Sequence, residues 1–293
     1  MQVGIDLGGH TIKVALVEKG RILKSALAST PASRFPEDVL ERICGMVMQL
    51  SAKEQRDGIG IGLPGMLDAG RTRVLRMPNF PRWKDFDLKA EAEGLLEAPV
   101  VIENDANCYA LGEGTSGAAQ GLEDYVVITV GTGIGGGVVL GGSLLKGSHG
   151  MAGELGHAAV VGKIPCGCGG VGHAESVAGA DGIEKAFADL GISGDLSALW
   201  CKRDDPPYKA VWDGALDALA RTVATTVHFF DPQCVVIGGG LSRGEGFIDE
   251  LRHAVRAYLA DPFRMILDLR PSLLGNDAAV IGAAALAKDS SIS

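Results

Sequence analysis

The chain has 293 residues, of which 46% are hydrophobic and 22% charged, and it carries a formal net charge of −9. That length holds one or two domains with a sizeable core, and the composition is that of a globular protein. An excess of 36 acidic over 27 basic residues argues against a broad nucleic-acid surface, which needs clustered positive charge. No apolar run is long enough for a predicted membrane span. The opening MQVGIDLGG lacks a basic leader and a signal-type apolar core, so the expected compartment is the cytoplasm. There the cysteines stay reduced. Cys44, Cys108, Cys201 and Cys234 read as small buried hydrophobes, whereas Cys166 and Cys168 stand too close together to be incidental.

In chain order, Val3–Val17 reads as an apolar run, a Gly-rich turn and a second run, hence a β-hairpin. Pro36–Leu50 carries Val39, Ile43, Met46, Val47 and Leu50 at helical spacing. Ile59, Ile61 and Leu63 form a strand that stops at Pro64-Gly65. Pro99–Glu103 is a buried strand running straight into Asn104-Asp105-Ala106-Asn107. Val127–Leu140 repeats the hairpin pattern, which suggests two structurally related halves facing one cleft. Gly8-Gly9 and Gly131–Gly137 are expected to supply positive-φ positions in the two hairpins. Trp212–Phe230 is helical, Cys234–Ile237 is a strand ending at Gly238-Gly239-Gly240, and Phe247–Leu259 is helical again. Met265–Leu269 reads as a strand, Ala278–Ala287 as a small-residue helix, and Asp289–Ser293 as a frayed tail. Strands alternating with helices give an α/β fold class.

Asp105 follows a buried strand, where α/β proteins place ligand groups. It reads either as a carboxylate that takes a proton from a substrate hydroxyl or as the cap of the helix starting near Ala106. The glycine turns at Asp6–Thr11 and Gly131–Gly135 suit phosphates held by backbone N–H groups. The second lies between two strands, so it is neither a dinucleotide fingerprint nor a P-loop. Gly238–Gly240 suits a flat ring or a phosphate, or is a plain turn. Cys166-Gly167-Cys168, with His157 before and His173 after, forms a Cys2His2 set of the kind that holds Zn²⁺, all four in loops. The other reading is two buried thiols and two solvated histidines. Glu154 and Glu175 bracket these groups, either as acceptors for a polyol or as surface carboxylates.

These residues together resemble the ROK family of sugar kinases and sugar-responsive repressors, within the actin-like ATPase-domain superfamily that includes hexokinase. Gly153-Glu154-Leu155-Gly156-His157 is similar to the family's first signature in full. Cys166–Glu175 is similar to the second except at His173, which stands where the family has a third cysteine. Leu63-Pro64-Gly65, Pro78-Asn79, Glu103–Asn107 and the three glycine turns extend the resemblance over nearly the whole chain. It implies two actin-like (ribonuclease H-like) α/β domains flanking a central cleft: a smaller one, residues 1–115 with the C-terminal helix 276–293, and a larger one, 116–275. It implies ATP-dependent phosphorylation of a hexose, with glucose favoured by the stretch Pro78–Trp83. N-acetylhexosamine, mannose or fructose, or a non-catalytic sugar sensor, are the alternatives.

By the same resemblance Asp105 is the general base, and Gly65, Asn79, Asn104, Asp105, Glu154, His157 and Glu175 line the sugar pocket. Asp6, Gly8, Gly9, His10, Thr11 and Lys13, with Gly131, Thr132, Gly133 and Gly135, serve the ATP phosphates. Asp6 acts near Mg²⁺, and Gly239 and Gly240 meet the adenosine. His157, Cys166, Cys168 and His173 hold a structural Zn²⁺. The family usually has Thr directly after the first Gly-Gly, where this chain has His10, so either Thr11 reaches the transferred phosphate in its place or that hydroxyl contact is lost. A homodimer is expected, and no nucleic-acid or membrane partner.

Overall fold

The computed structural model describes residues 1–51, 57–78 and 80–289. The elements run β1 (Gln2–Leu7), β2 (Thr11–Glu18), β3 (Arg21–Ser29), α1 (Pro36–Ser51), β4 (Gly58–Leu63), β5 (Met66–Leu67), β6 (Val74–Arg76), α2 (Leu88–Leu96), β7 (Val100–Asn104) and α3 (Asp105–Ser116). They continue with β8 (Tyr125–Val130), β9 (Ile134–Leu140), β10 (Ser143–Leu144), α4 (Glu175–Ala178), α5 (Ala180–Asp189), α6 (Leu196–Trp200) and α7 (Tyr208–Phe230). Last come β11 (Cys234–Gly238), α8 (Phe247–Tyr258), α9 (Asp261–Ile266), β12 (Leu269–Pro271) and α10 (Ala278–Asp289). Among the described residues no helix is long and apolar enough to cross a membrane.

Two five-stranded sheets share one plan. The first has the order β3-β2-β1-β4-β7 and the second β10-β9-β8-β11-β12. In each, an antiparallel hairpin leads and two parallel strands follow: β1 pairs β4, which pairs β7, and β8 pairs β11, which pairs β12. The alternating strands and helices are therefore the α/β fold expected, built from two related halves.

Each sheet has its own core. Val3, Ile5 and Leu7 of β1 and Ile12 and Val14 of β2 pack with Val39, Ile43 and Val47 of α1 and with Trp83. In the second half Val126, Ile128 and Val130 pack with α7 and with Trp200, Trp212 and Phe247. The small-residue helix α10 returns to the first sheet. Gly4 and Gly60 let it approach: a Cβ on either would lie 1.9 Å from the Val280 carbonyl oxygen or 1.7 Å from that of Ala283. Larger residues on the sheet would hold the helix off, because close-packed interiors leave no slack.

Several expectations are corrected. Met265–Leu269 is not a strand: Asp261-Pro262 opens the short helix α9, with Pro in its first turn, and the strand is Leu269–Pro271. The apolar run of Met265 and Ile266 is largely exposed. Gly8, Gly9 and Gly131–Gly137 do not have positive φ; the positive-φ turns lie elsewhere, for example at Gly141, Gly142 and Gly239. Cys201 is exposed and Cys44 only half-buried, while Cys108 and Cys234 are buried as expected. His157 lies in a 3₁₀ turn, Leu155–His157, rather than in a loop.

Candidate active site

Strand β7 ends at Asn104 and α3 begins at Asp105. The cap of α3 is Asn104, not Asp105: its Oδ1 accepts from the backbone N–H of Ala106 at 2.9 Å and of Asn107 at 3.2 Å. Asp105 is thereby released from the capping role at the head of the helix, with Oδ1 accepting from Ala106 N at 2.8 Å. Burial pushes the Asp105 carboxyl up, opposed by that backbone hydrogen bond and reinforced by the charge of Glu154. Asp6, at the end of β1, faces the same space. Burial, then the nearby Asp105, push it up to about 7, and Lys13 pulls the other way.

Beneath this turn lies a buried ion pair. Glu103 is 1% exposed; its Oε1 accepts from Asn104 N at 2.9 Å and from Asn107 Nδ2 at 3.0 Å. Its Oε2 accepts from Arg71 Nε at 2.8 Å. Arg71 sits in the turn between β5 and β6, at φ 54°, and its Nη1 donates to the carbonyl of Gly150 at 2.9 Å. The pair thus connects the Asn104–Asp105 turn of the first half to the 145–153 loop of the second, which leads into Glu154. Arg71 carried no signal in the sequence. A Glu within the apolar run PVVIE did, because a buried charge requires a partner; the partner's identity is a matter of the fold.

Gly65 and Asn104 adjoin, with Asn104 Nδ2 donating to the Gly65 carbonyl at 3.4 Å. Together with Glu154 they line a narrow pocket. Glu154 Oε2 lies 3.8 Å from His157 Nε2. Burial raises the Glu154 carboxyl, His157 lowers it and Glu175 raises it, so all three groups share one wall. Asn79 lies outside the described residues.

Glu175 is the first residue of α4. Its Oε2 accepts from Ile134 N at 2.9 Å, and its Oε1 lies 3.9 Å from Cys166 Sγ. It fills the place where a side chain at Gly133 would stand: a Cβ there would come within 2.2 Å of Oε2. Gly133, Gly135, Gly136 and Gly137 are thus demanded by close approach, not by positive φ, whereas a Cβ on Gly131 would meet nothing within 4 Å. Gly135 similarly faces Ala106, where a Cβ would lie 2.8 Å from that residue's Cβ, so β9 crosses the first turn of α3. The Gly131–Gly133 turn is held by Gly131 N donating to the Gly133 carbonyl, while the carbonyls of Gly131 and Thr132 accept from Ala180 N and Asp181 N. Gly239, at φ 88°, packs against Val130 beside that turn, and Gly240 is open on its side-chain face.

In the first hairpin, Gly8 N donates to the Thr11 carbonyl and Thr30 N to the His10 carbonyl. Both His10 and Thr11 are exposed. Lys13 is anchored: its Nζ pairs with Asp277 and reaches the Asn276 carbonyl at 3.3 Å.

The chain brings His157, Cys166, Cys168 and His173 together, with ligand atoms all within 4.8 Å of one another. A tetrahedral ion with thiolates at about 2.3 Å and imidazoles at about 2.0 Å wants these atoms about 3.3–3.8 Å apart, so a slight contraction suffices. Two features fit a metal. His157 Nδ1 is buried and has no hydrogen-bond partner among the described residues. Cys168 Sγ already stands 3.2 Å from His173 Nδ1. Burial, and then the adjoining Cys168 thiol, push the Cys166 thiol up, a cost that a bound cation removes.

A sequence model of the ROK family matches residues 2–290. The glucokinase of Thermotoga maritima is 39% identical over 98% of this chain and 97% of its own. The ROK hexokinase of Thermus thermophilus superposes with a TM-score of 0.88 at 36% identity, covering 99% of this chain and 98% of that one. A ROK family glucokinase of Streptomyces griseus, solved with glucose and AMPPNP, gives a TM-score of 0.84 at 32% identity, covering 98% and 99%.

Proposed function

The chain belongs to the ROK family, and from that premise we propose that it transfers the γ-phosphoryl group of ATP to a hexose hydroxyl, glucose being the preferred acceptor. Full-length similarity to a glucokinase, at 39% identity, supports the acceptor. The observation that carries the reading is Asp105: a carboxyl raised by burial, freed from capping by Asn104, at the end of a parallel strand and beside a second acid, Asp6.

The chemistry needs positioning and charge stabilisation rather than a covalent intermediate. Asp105 accepts the hydroxyl proton as the oxygen attacks. Its raised carboxyl is a better-matched base than an ordinary aspartate. Asn104, Gly65, Glu154 and His157 orient the sugar, and Glu175 ties the sugar wall to the Gly131–Gly135 turn. Backbone N–H groups of the two glycine turns receive the phosphates, and Gly239-Gly240 leaves a flat face for the adenine. Lys13 stays with Asp277 and acts on the field around Asp6 rather than as a free phosphate ligand. Asp6 offers the hard oxygen ligand that suits Mg²⁺, which neutralises phosphate charge when bound. His157, Cys166, Cys168 and His173 suit a structural Zn²⁺, which clips the loop that leads into Glu175.

The test is a coupled ADP assay across glucose, fructose, mannose, N-acetylglucosamine and N-acetylmannosamine. Glucose is expected to give the highest kcat/KM. Sugar binding without ADP formation from any of them would replace the kinase with a sensor. Preference for an N-acetylated sugar would replace the acceptor alone.

A further inference from the structure

Besides His157 Nδ1 at the metal cluster, two buried polar atoms near the sugar wall have no partner among the described residues: Arg71 Nη2 and Asn107 Oδ1. Both residues are more than nine-tenths buried, at 7% and 4% exposure. Both line the same pocket as Gly65, Asn104 and Glu154. The other polar atoms of the two side chains are committed. Arg71 Nε donates to Glu103 and Nη1 to Asp68 and Gly150. Asn107 Nδ2 donates to Glu103. Each of these contacts fixes the orientation of the remaining atom, so neither can turn elsewhere for a partner.

One orphan is a donor and the other an acceptor. Orphaned buried groups of this kind are rare, because each forfeits a hydrogen bond it would make in water. A hydroxyl, which donates one proton and accepts through its lone pairs, satisfies both at once. The cavity they line fits that size, at about 10 Å³, which one water or one hydroxyl fills.

We infer that Arg71 is a specificity-determining residue of the acceptor site. Its Nη2 donates to one secondary hydroxyl of the hexose ring, which in turn donates to Asn107 Oδ1. The niche accepts a hydroxyl at that ring position and refuses a larger substituent. Arg71 does this from a turn of the first half while gripping Gly150 of the second, so the niche exists only when the two halves are engaged. This inference rests on the hexose-kinase reading.

The test measures kcat/KM for glucose and its 1-, 2-, 3- and 4-deoxy analogues in the wild type and in Arg71→Lys, which keeps a cation beside Glu103 but loses Nη2. In the wild type, one deoxy analogue falls about 5–150-fold below glucose, the consequence of leaving the buried pair unsatisfied. In Arg71→Lys, glucose falls toward that analogue, their ratio closes to within about threefold, and the ratios for the other three analogues stay as they were. A uniform loss across all five sugars makes Arg71 a brace only and overturns the inference, as does no change at all. If the variant does not fold, a crystal structure of the wild type with glucose decides. A ring hydroxyl within about 3.2 Å of both Nη2 and Oδ1 supports the inference, and a hydroxyl elsewhere overturns it. Absence of ADP with every sugar would instead remove the kinase reading.

Discussion

Glu103→Gln isolates the ion pair beneath the proposed base. The substitution keeps shape and volume but turns one acceptor oxygen into an NH₂ group. Three donors point at Glu103: Asn104 N and Asn107 Nδ2 at Oε1, and Arg71 Nε at Oε2. The amide oxygen can serve only one side, so its NH₂ faces either the Arg71 guanidinium or the two asparagine donors. At 1% and 7% exposure for Glu103 and Arg71, water cannot repair the mismatch. Breaking a buried pair and leaving one charge uncompensated costs about 3–5 kcal/mol. At about 2 °C per kcal/mol for a chain of this size, the melting temperature drops by about 6–10 °C. Calorimetry reads that directly. Because the same carboxylate holds Asn104 and Asn107, kcat/KM for glucose falls as well, by about 10–100-fold from misplaced groups. A melting temperature within about 2 °C of wild type, with unchanged kcat/KM, would refute the argument that this pair organises the turn.

The other predictions concern metal and pH. Elemental analysis is expected to find about one zinc per chain, lost in His173→Ala, whose melting temperature falls to that of chelator-treated wild type; full zinc occupancy in the variant would exclude His173 as an essential ligand. Asp6 is raised to about 7 from an ordinary 3.8. The folded chain therefore binds a proton the unfolded chain has released across that window. Stability from this group declines as pH rises from about 4 to 7 and stays reduced above. Asp6→Asn should accordingly stabilise the nucleotide-free protein at pH 8 by a few kcal/mol at most, read as a higher melting temperature, with the gain vanishing near pH 4; a gain equal at both pH values would contradict the assignment.

Both hairpins, helix α1 and the parallel strands β4, β7 and β11 were legible because buried strands and amphipathic helices leave plain periodicities. Strand β3 was not: it is an edge strand with a mostly exposed face, and Arg21–Ser29 carries no continuous apolar run. The strand expected over Met265–Leu269 failed because Asp261-Pro262 starts a helix whose apolar residues Met265 and Ile266 stay outside. In the site, the Cys2His2 set was readable since its four residues lie close in sequence, and the structure gathers them within 4.8 Å. The glycine turns are legible in the sequence as candidate positive-φ positions, but close approach is what governs Gly133 and Gly135. Gly133 must be small because Glu175 occupies its side-chain space, and such a contact between distant segments leaves no local mark. Arg71 likewise leaves no local mark, being tied to Glu103 and Gly150 only through the fold.

The role of Asp105 is tested most directly by steady-state ADP formation with glucose in Asp105→Asn beside glucose binding by calorimetry. The account predicts that kcat falls by about 10²–10⁴-fold, while glucose still binds through Asn104, Glu154 and His157. Near-wild-type turnover in the variant would show that the proton leaves the sugar by another route, and would contradict the account.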